Sequence, residues 1–184
     1  DSVASRGRGD VYKRQEYSVG SGPSLEMPRE VTKHSAIETE PVLSPDGKKL
    51  AYVSDRTGQP QVYLMDLSSK KVTRLSKKGG YNTSPAWSPD SSMVAFTSQK
   101  RGSKSTIYRV RVDDNLGTQT RVSPENISSE SPAWSPDGSM VAFQGFQGVW
   151  KIFYVLSSGG PAERLTRSSK WMVETGPTWS SRLR

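Results

Sequence analysis

The chain contains no cysteine. A disulfide scaffold, a thiolate metal site and a cysteine nucleophile are therefore excluded. It contains one histidine, His34, in a polar stretch, and no His/Asp/Glu cluster has metal-ligand spacing. No apolar run approaches the length that spans a bilayer. No segment carries a 3.6-residue hydrophobic period, so helices are not expected. Hydrophobic residues make up 32% and aromatics 9%, low for a packed helical enzyme and suited to an all-β chain rich in turns. There is no Gly-x-Ser-x-Gly elbow, since Gly20-Ser21-Gly22 has the wrong spacing. Most serines also follow His34, the reverse of the hydrolase order Ser, acid, His. No glycine-rich loop follows a strand and opens a helix. Catalysis, a cofactor and a bound metal are not expected.

The charge is +8 at pH 7 with a pI near 9.8. Half of that excess lies in residues 1–15 and at Arg182 and Arg184. The rest is spread widely, and Lys77-Lys78 and Gln99-Lys100-Arg101 read as solvated loops. This pattern does not point to a nucleic-acid partner.

A repeat is present instead. Ser44-Pro45-Asp46-Gly47 returns as Ser88-Pro89-Asp90-Ser91 and as Ser135-Pro136-Asp137-Gly138. Trp87, Trp134 and Trp179 precede these turns, with Leu43 in the first copy. Pro41, Pro85, Pro132 and Pro177 stand two residues earlier still. Proline suits the second position of a tight turn, aspartate bonds back to the backbone, and glycine accepts a positive φ. Alternating runs follow: Leu50 to Ser54, Val94 to Ser98 and Val141 to Gln144. After a glycine-containing loop come Val62 to Met65, Ile107 to Val110 and Ile152 to Val155. Each copy closes on Arg-Leu/Val-Ser/Thr: Arg74 to Ser76, Arg121 to Ser123 and Arg164 to Thr166. The turn aspartates Asp46, Asp90 and Asp137 read as turn formers.

Four short strands per unit of about 40–45 residues describe propeller blades. The expected fold is an all-β propeller fragment with about three complete four-stranded blades and partial blades at both ends. Blades are expected over 41–84, 85–131 and 132–176, with 177–184 beginning another. Residues 17–40 read as the end of a preceding blade and an inter-blade loop, with Arg29-Glu30-Val31-Thr32 as its last strand. Residues 1–16 read either as part of that blade or as a non-natural segment, since Val11-Tyr12-Lys13-Arg14-Gln15 resembles translated sequencing-adapter read-through. Ser181-Arg182 breaks the turn motif. The tryptophans and the second and third strands should form the sandwich between blades. A closed propeller needs about 4–8 blades, so three make an open arc with exposed blade faces.

The unit Pro-x-Trp-Ser-Pro-Asp-Gly, then Ala-Phe/Tyr, then Ile/Val-Tyr, then Arg-Leu-Ser/Thr resembles the WD40-like PD40 repeat of TolB-type propellers. It runs over most of residues 29–180, and Tyr81-Asn82-Thr83-Ser84-Pro85-Ala86-Trp87-Ser88-Pro89 is particularly similar. The resemblance implies a periplasmic scaffold of the Tol-Pal envelope system. Its propeller would bind the peptidoglycan-associated lipoprotein Pal, alongside other Tol components. The same repeat occurs in propellers that gate prolyl-oligopeptidase-type peptidases, and a carbohydrate-binding propeller is a third reading.

Propellers bind at the channel mouths. The residues before each proline repeat in place, so Thr39, Thr83, Glu130 and Thr175 are expected to form one arc. Glu38, Asn82, Ser129 and Glu174 should form the next. Their local reading is turn capping before the strand, and their functional reading is partner contact, which the family resemblance favours. Ser84 belongs with the second copy of this mouth. Tyr81 and Trp171 are aromatics outside the strand pattern, either anchors or loop packing.

Overall fold

The computed structural model describes residues 15–16, 29–114, 117–166 and 172–179. Three four-stranded antiparallel sheets follow one another along the chain. The first holds β3 Glu38–Leu43, β4 Lys49–Ser54, β5 Gln61–Asp66 and β6 Val72–Arg74. The second holds β7 Tyr81–Trp87, β8 Met93–Gln99, β9 Thr106–Arg111 and β10 Thr120–Arg121. The third holds β11 Ser128–Trp134, β12 Met140–Phe146, β13 Trp150–Leu156 and β14 Glu163–Arg164. Ahead of them, β1 Gln15–Glu16 pairs with β2 Arg29–Glu30. The described residues include no helix. The first strands β3, β7 and β11 touch one another and form the inner wall, while β6, β10 and β14 are outermost. This is the expected all-β propeller arc.

The Ser-Pro-Asp turns close through their own side chains. The Ser44 hydroxyl donates to Asp46 Oδ1 at 2.6 Å and accepts the Lys49 N–H at 2.9 Å. Asp46 Oδ1 also accepts the Lys48 N–H at 3.1 Å. Ser88 with Asp90, and Ser135 with Asp137, repeat the pattern. Gly47 and Gly138 both adopt φ 71°, the left-handed region that glycine enters without strain. Ser91 replaces glycine at φ 61°, and its hydroxyl accepts the Asp46 N–H of the preceding blade at 3.1 Å.

The closing Arg-x-Ser/Thr motif has an equally local cause. The hydroxyls of Ser76, Ser123 and Thr166 accept the N–H groups of Val62, Ile107 and Ile152 at 2.9–3.2 Å. Arg74, Arg121 and Arg164 donate through Nε to the carbonyls of Ser76, Ser123 and Thr166 at 2.6–2.9 Å.

Strand alternation sorts large and small residues onto opposite faces. Phe96 and Phe143 point at the preceding blade, and Ala51 and Ala95 point at the following one. Ala51, Val53, Val62, Leu64 and Leu75 thus pack on Trp87, Val94, Phe96 and Val110. Ala95, Ile107 and Val122 pack on Val141, Phe143, Phe153 and Val155. Cross-strand ring pairs recur in each blade: Tyr52 with Tyr63 at 6.0 Å, Phe96 with Tyr108 at 6.4 Å and Phe143 with Phe153 at 5.8 Å.

Three hydrogen bonds tie β7, β11 and the segment 174–179 each to the blade before it. Trp87, Trp134 and Trp179 donate their indole N–H to the carbonyls of Val42, Ala86 and Ala133 at 2.9, 3.1 and 3.0 Å. At the other end of the same segments, the N–H groups of Asn82, Ser129 and Glu174 donate to the carbonyls of Pro60, Ser105 and Trp150 at 2.9, 2.9 and 3.1 Å. Between them, the N–H of the residue before proline reaches back as well: Ser84 to Glu40 Oε2, Ser131 to Thr97 Oγ1 at 3.1 Å and Gly176 to Gln144 Oε1 at 3.1 Å.

The inner strands begin at Glu38, Tyr81 and Ser128, three or four residues ahead of the prolines that the sequence pattern takes as blade starts. Proline inside a ladder normally argues against a strand. Here it sits in a bulge. Glu40-Pro41 together face Tyr52, Ser84-Pro85 face Phe96, and Ser131-Pro132 face Phe143, where the register shifts. Glu40, Ser84 and Ser131 take φ of 49–53°, a left-handed conformation that costs a residue with a Cβ roughly 1–2 kcal/mol. Gly176 takes the same place at φ 64°.

The indole tie generates a prediction. Trp87→Ala should destabilise by about 3–5 kcal/mol through lost inter-blade packing. Trp87→Phe, which keeps most of the apolar contact and strands the Val42 carbonyl, should cost about 1–3 kcal/mol. Urea unfolding measures both, and a Phe variant as stable as the parent would show that the indole N–H contributes nothing.

Candidate functional site

Each blade has a turn end, closed by the Ser-Pro-Asp turns, and an opposite crossover end, where the chain passes from one blade to the next. The inner strands start at the crossover end. Ile37, Tyr81 and Val173 occupy one repeat position there and are exposed by 57%, 48% and 61%. Ser128, half-buried, fills the same position in the third blade. Its register partner is Phe146, 43% exposed and packed edgewise on Trp150 at 5.4 Å. The crossover end therefore presents a crescent of apolar side chains that the core does not use. Sequence reading singles out only Tyr81 of this set. Ile37, Phe146 and Val173 carry no signal of their own, because an aliphatic or aromatic residue at a strand boundary has no distinguishing pattern.

The residues expected as two arcs at a loop lie instead within strands β3, β7 and β11, except those of the last copy. The cause is the proline bulge, which lets the ladder run through the Xaa-Pro step. The arcs separate by burial. Thr39, Thr83, Ser84 and Glu130 are half-buried and Thr175 is exposed. Thr83 pairs with Thr97 in register, and Glu130 accepts the Ser105 hydroxyl at 2.8 Å and the Gln144 amide at 3.3 Å.

Glu38, Asn82 and Ser129 are no more than 3% exposed, so a partner meeting this end finds them covered. Glu38 forms an ion pair with Arg56, whose guanidinium also donates to Tyr52 at 2.9 Å and lies 4.6 Å from the Tyr63 ring centroid. Burial among these groups pushes the Tyr52 phenol up to about 12. The Asn82 amide donates to Gln61 at 2.8 Å and to the Lys78 carbonyl at 3.1 Å. The Ser129 hydroxyl donates to the Ile127 carbonyl at 3.1 Å. Glu174 lies 3.7 Å from the buried Lys151 ammonium. Asn82, Ser129 and Glu174 tie blades together, Ser129 through its backbone N–H, while Glu38 is locked within its own blade. Trp171 lies outside the described residues, as do residues 1–14 and 180–184.

A cleft of about 550 Å³ is lined by Thr32, His34, Tyr52, Arg56, Met65 and Val72, among others. It covers the sheet face on which Tyr52 occupies the place of Phe96 and Phe143, the face that meets a preceding blade in the other two sheets. The cleft therefore belongs to blade stacking. His34 is exposed on its rim, and Nδ1 accepts the Ala36 N–H at 3.0 Å. Among the described residues, no cluster of three metal-ligating side chains forms.

The TolB β-propeller domain family, PD40, matches residues 23–183. The chain belongs to the TolB β-propeller family. It is similar to the Tol-Pal system protein TolB of Bordetella pertussis, at 43% identity over 49 residues, which is 27% of this chain and 11% of that one. It is similar in structure to TolB from Acinetobacter baumannii, with TM-score 0.68 and 28% identity over 83% of this chain and 37% of that one. Likeness to a puromycin-hydrolysing peptidase of Mycobacterium tuberculosis, at 20% identity and TM-score 0.61 over 77% of this chain and 24% of that one, shows the fold alone. The chain thus spans about a tenth of the curated relatives' length in its matching stretch and just over a third of the solved TolB.

The Ser–Asp hydrogen bond recurs in all three turns, which yields a prediction about protons. Asp137 accepts the Ser135 hydroxyl, the Ser139 N–H and the Ser139 hydroxyl, and these hydrogen bonds hold its carboxyl down at about 2. The ordinary value is 3.8. The folded value lies below the unfolded one, so the stabilisation is complete above the unfolded value and is lost as pH falls toward 2. In an NMR titration Asp137 should show a midpoint near 2, and Ser135→Ala should raise it toward 3.8. A midpoint unmoved by that substitution would sink the assignment.

Proposed function

We propose that the chain is a non-catalytic, partner-binding part of a periplasmic TolB-type propeller in the Tol-Pal envelope system. Its partner is the peptidoglycan-associated lipoprotein Pal, within an assembly of other Tol components. The carrying observation is the family membership over residues 23–183, joined to the exposed apolar crescent at the crossover end. Propellers assemble function on the loops and channel mouths of a rigid scaffold. The crossover end offers Tyr81 as an aromatic anchor and Thr39, Thr83, Ser84, Glu130 and Thr175 as polar contacts around it. Glu38, Asn82, Ser129 and Glu174 support this mouth from behind. The non-catalytic reading is supported by a sequence with no cysteine and one histidine, whose ring is engaged by a neighbouring backbone N–H.

Thr83 is the residue to test, because it is half-buried on the inner strand and makes no inter-blade tie through its own backbone or side chain. Isoleucine suits a strand at least as well as threonine. Thr83→Ile should weaken binding of the soluble lipoprotein domain about tenfold. The melting temperature should stay within about 3 °C of the parent's. Titration calorimetry beside a thermal melt reads both quantities. Unchanged affinity in a folded variant would move the contact to another face.

A further inference from the structure

The two ends of the propeller carry charge differently. The turn end carries both signs, Asp46, Asp90 and Asp137 together with Lys48, Lys70 and Lys71, and each of the three aspartates is bonded within its own turn. At the crossover end, Lys33, Lys78, Lys100, Arg101 and Lys104 are all exposed. The acids in its loops are already occupied, Glu174 among them at 3.7 Å from the Lys151 ammonium. Asp55 Oδ1 accepts the Ile37 N–H at 3.0 Å, and Glu125 pairs with Arg121 at 2.6 Å. None of the five cations has a carboxylate at ion-pair distance among the described residues.

Lys78 lies three residues before Tyr81, and Lys100, Arg101 and Lys104 lie in the loop that follows its register partner Gln99. A Cβ on Gly79 would stand 2.4 Å from the Ser98 hydroxyl, so the Lys78-Gly79 loop lies directly on the end of β8. Tyr81 pairs in register with Gln99, the residue before Lys100 and Arg101. Lys104 donates to the Asn126 carbonyl at 3.0 Å, which fastens this loop to the next crossover. An exposed aromatic flanked by loops whose cations lack carboxylate partners is a docking surface for a group that is apolar at its centre and anionic at its margin. Charges arranged this way accelerate association and fix register, and salt weakens them.

We propose that the crossover end receives an acidic face of its protein partner, with partner carboxylates meeting Lys78, Lys100, Arg101 and Lys104 and an apolar partner side chain packing on Tyr81. The inference rests on the reading of this end as the partner-binding mouth, and it adds the chemistry of what binds there.

The experiment separates the two claims with three probes of the complete chain. The first is a glutamate-rich peptide centred on one tryptophan, followed by fluorescence. Its affinity should fall tenfold or more between about 50 mM and about 500 mM salt. Lys100→Glu with Arg101→Glu should weaken it about tenfold at low salt, while Lys48→Glu with Lys71→Glu at the turn end should leave it unchanged. Thermal melts confirm that these loop variants fold. No peptide binding, salt-indifferent binding or equal loss in both double variants overturns the proposal. The second probe is vesicles containing about 30% phosphatidylglycerol. Binding as tight as the peptide's, with the same dependence on Lys100 and Arg101, overturns it in favour of an anionic membrane. The third probe is the soluble lipoprotein domain. If the peptide behaves as expected and this domain does not bind, the acidic-partner inference stands and the lipoprotein assignment falls.

Discussion

The indole-to-carbonyl bond between consecutive blades is the contact on which the remaining geometry depends. Trp87 and Trp134 close their inner strands at the turn end and pack with the small alanine of the preceding blade's second strand, and each tryptophan, Trp179 included, finds its N–H partner in the preceding inner strand. A buried indole N–H without an acceptor would be costly, so the ring fixes both the distance and the stagger between neighbouring blades. With that stagger set, the N–H groups of Asn82, Ser129 and Glu174 fall opposite carbonyls of the preceding blade, and the left-handed residues before proline find their acceptors. The strain of the left-handed bulge is local. Its reward is a backbone N–H turned out of its own sheet toward the adjacent one.

Repetition alone would allow blades to stack in the wrong order, and the buried polar groups at each junction counter that. Between the first two blades, Gln61 accepts from both Asn82 and Ser76. Between the second and third, the Ser105 hydroxyl donates to Glu130. At the junction after the third, the buried Lys151 donates to the Met172 carbonyl and lies beside Glu174. An amide, a hydroxyl–carboxylate and an ammonium–carboxylate pair are not interchangeable. Exchanging one side alone leaves a buried polar group or charge unmatched, at a cost of several kcal/mol in the charged case. The apolar sandwich supplies the attraction between blades, and the polar keys say which blade follows which.

Much of the fold was legible in the sequence because its turns are made by side chains. Ser-Pro-Asp-Gly and Arg-Leu-Ser are complete local instructions, each satisfied by atoms within a few residues or by the neighbouring strand. The four-strand meander and the inter-blade role of the tryptophans follow from them. The starts of the inner strands were not legible, since proline carries the same statistical meaning in a bulge as in a turn. The arcs before the prolines were read as one surface for the same reason. Burial divides them, and burial depends on the adjacent blade, which no local pattern reports. Glu38 and Asn82 carry side chains that usually face water, and only their partners Arg56 and Gln61 turn them inward.

One inner strand therefore does two jobs by alternation. Along β7, Tyr81 faces outward, Asn82 is locked to the preceding blade, Thr83 is half-exposed, and Ser84 carries the strained N–H that reaches Glu40. Trp87 anchors the far end of the strand. The positions that bind the blade to its neighbour and those that remain available to a partner are adjacent in sequence yet opposite in burial. This makes the mouth rigid, because each available side chain adjoins one that is fixed: Ile37 adjoins Glu38, Tyr81 and Thr83 adjoin Asn82, and Val173 adjoins Glu174. It also makes the surface free to differ between blades, since Ile37, Tyr81, Ser128 and Val173 share one position without altering any tie beneath them. The result is a repeated scaffold with a non-repeated face, which is the arrangement a single asymmetric partner requires.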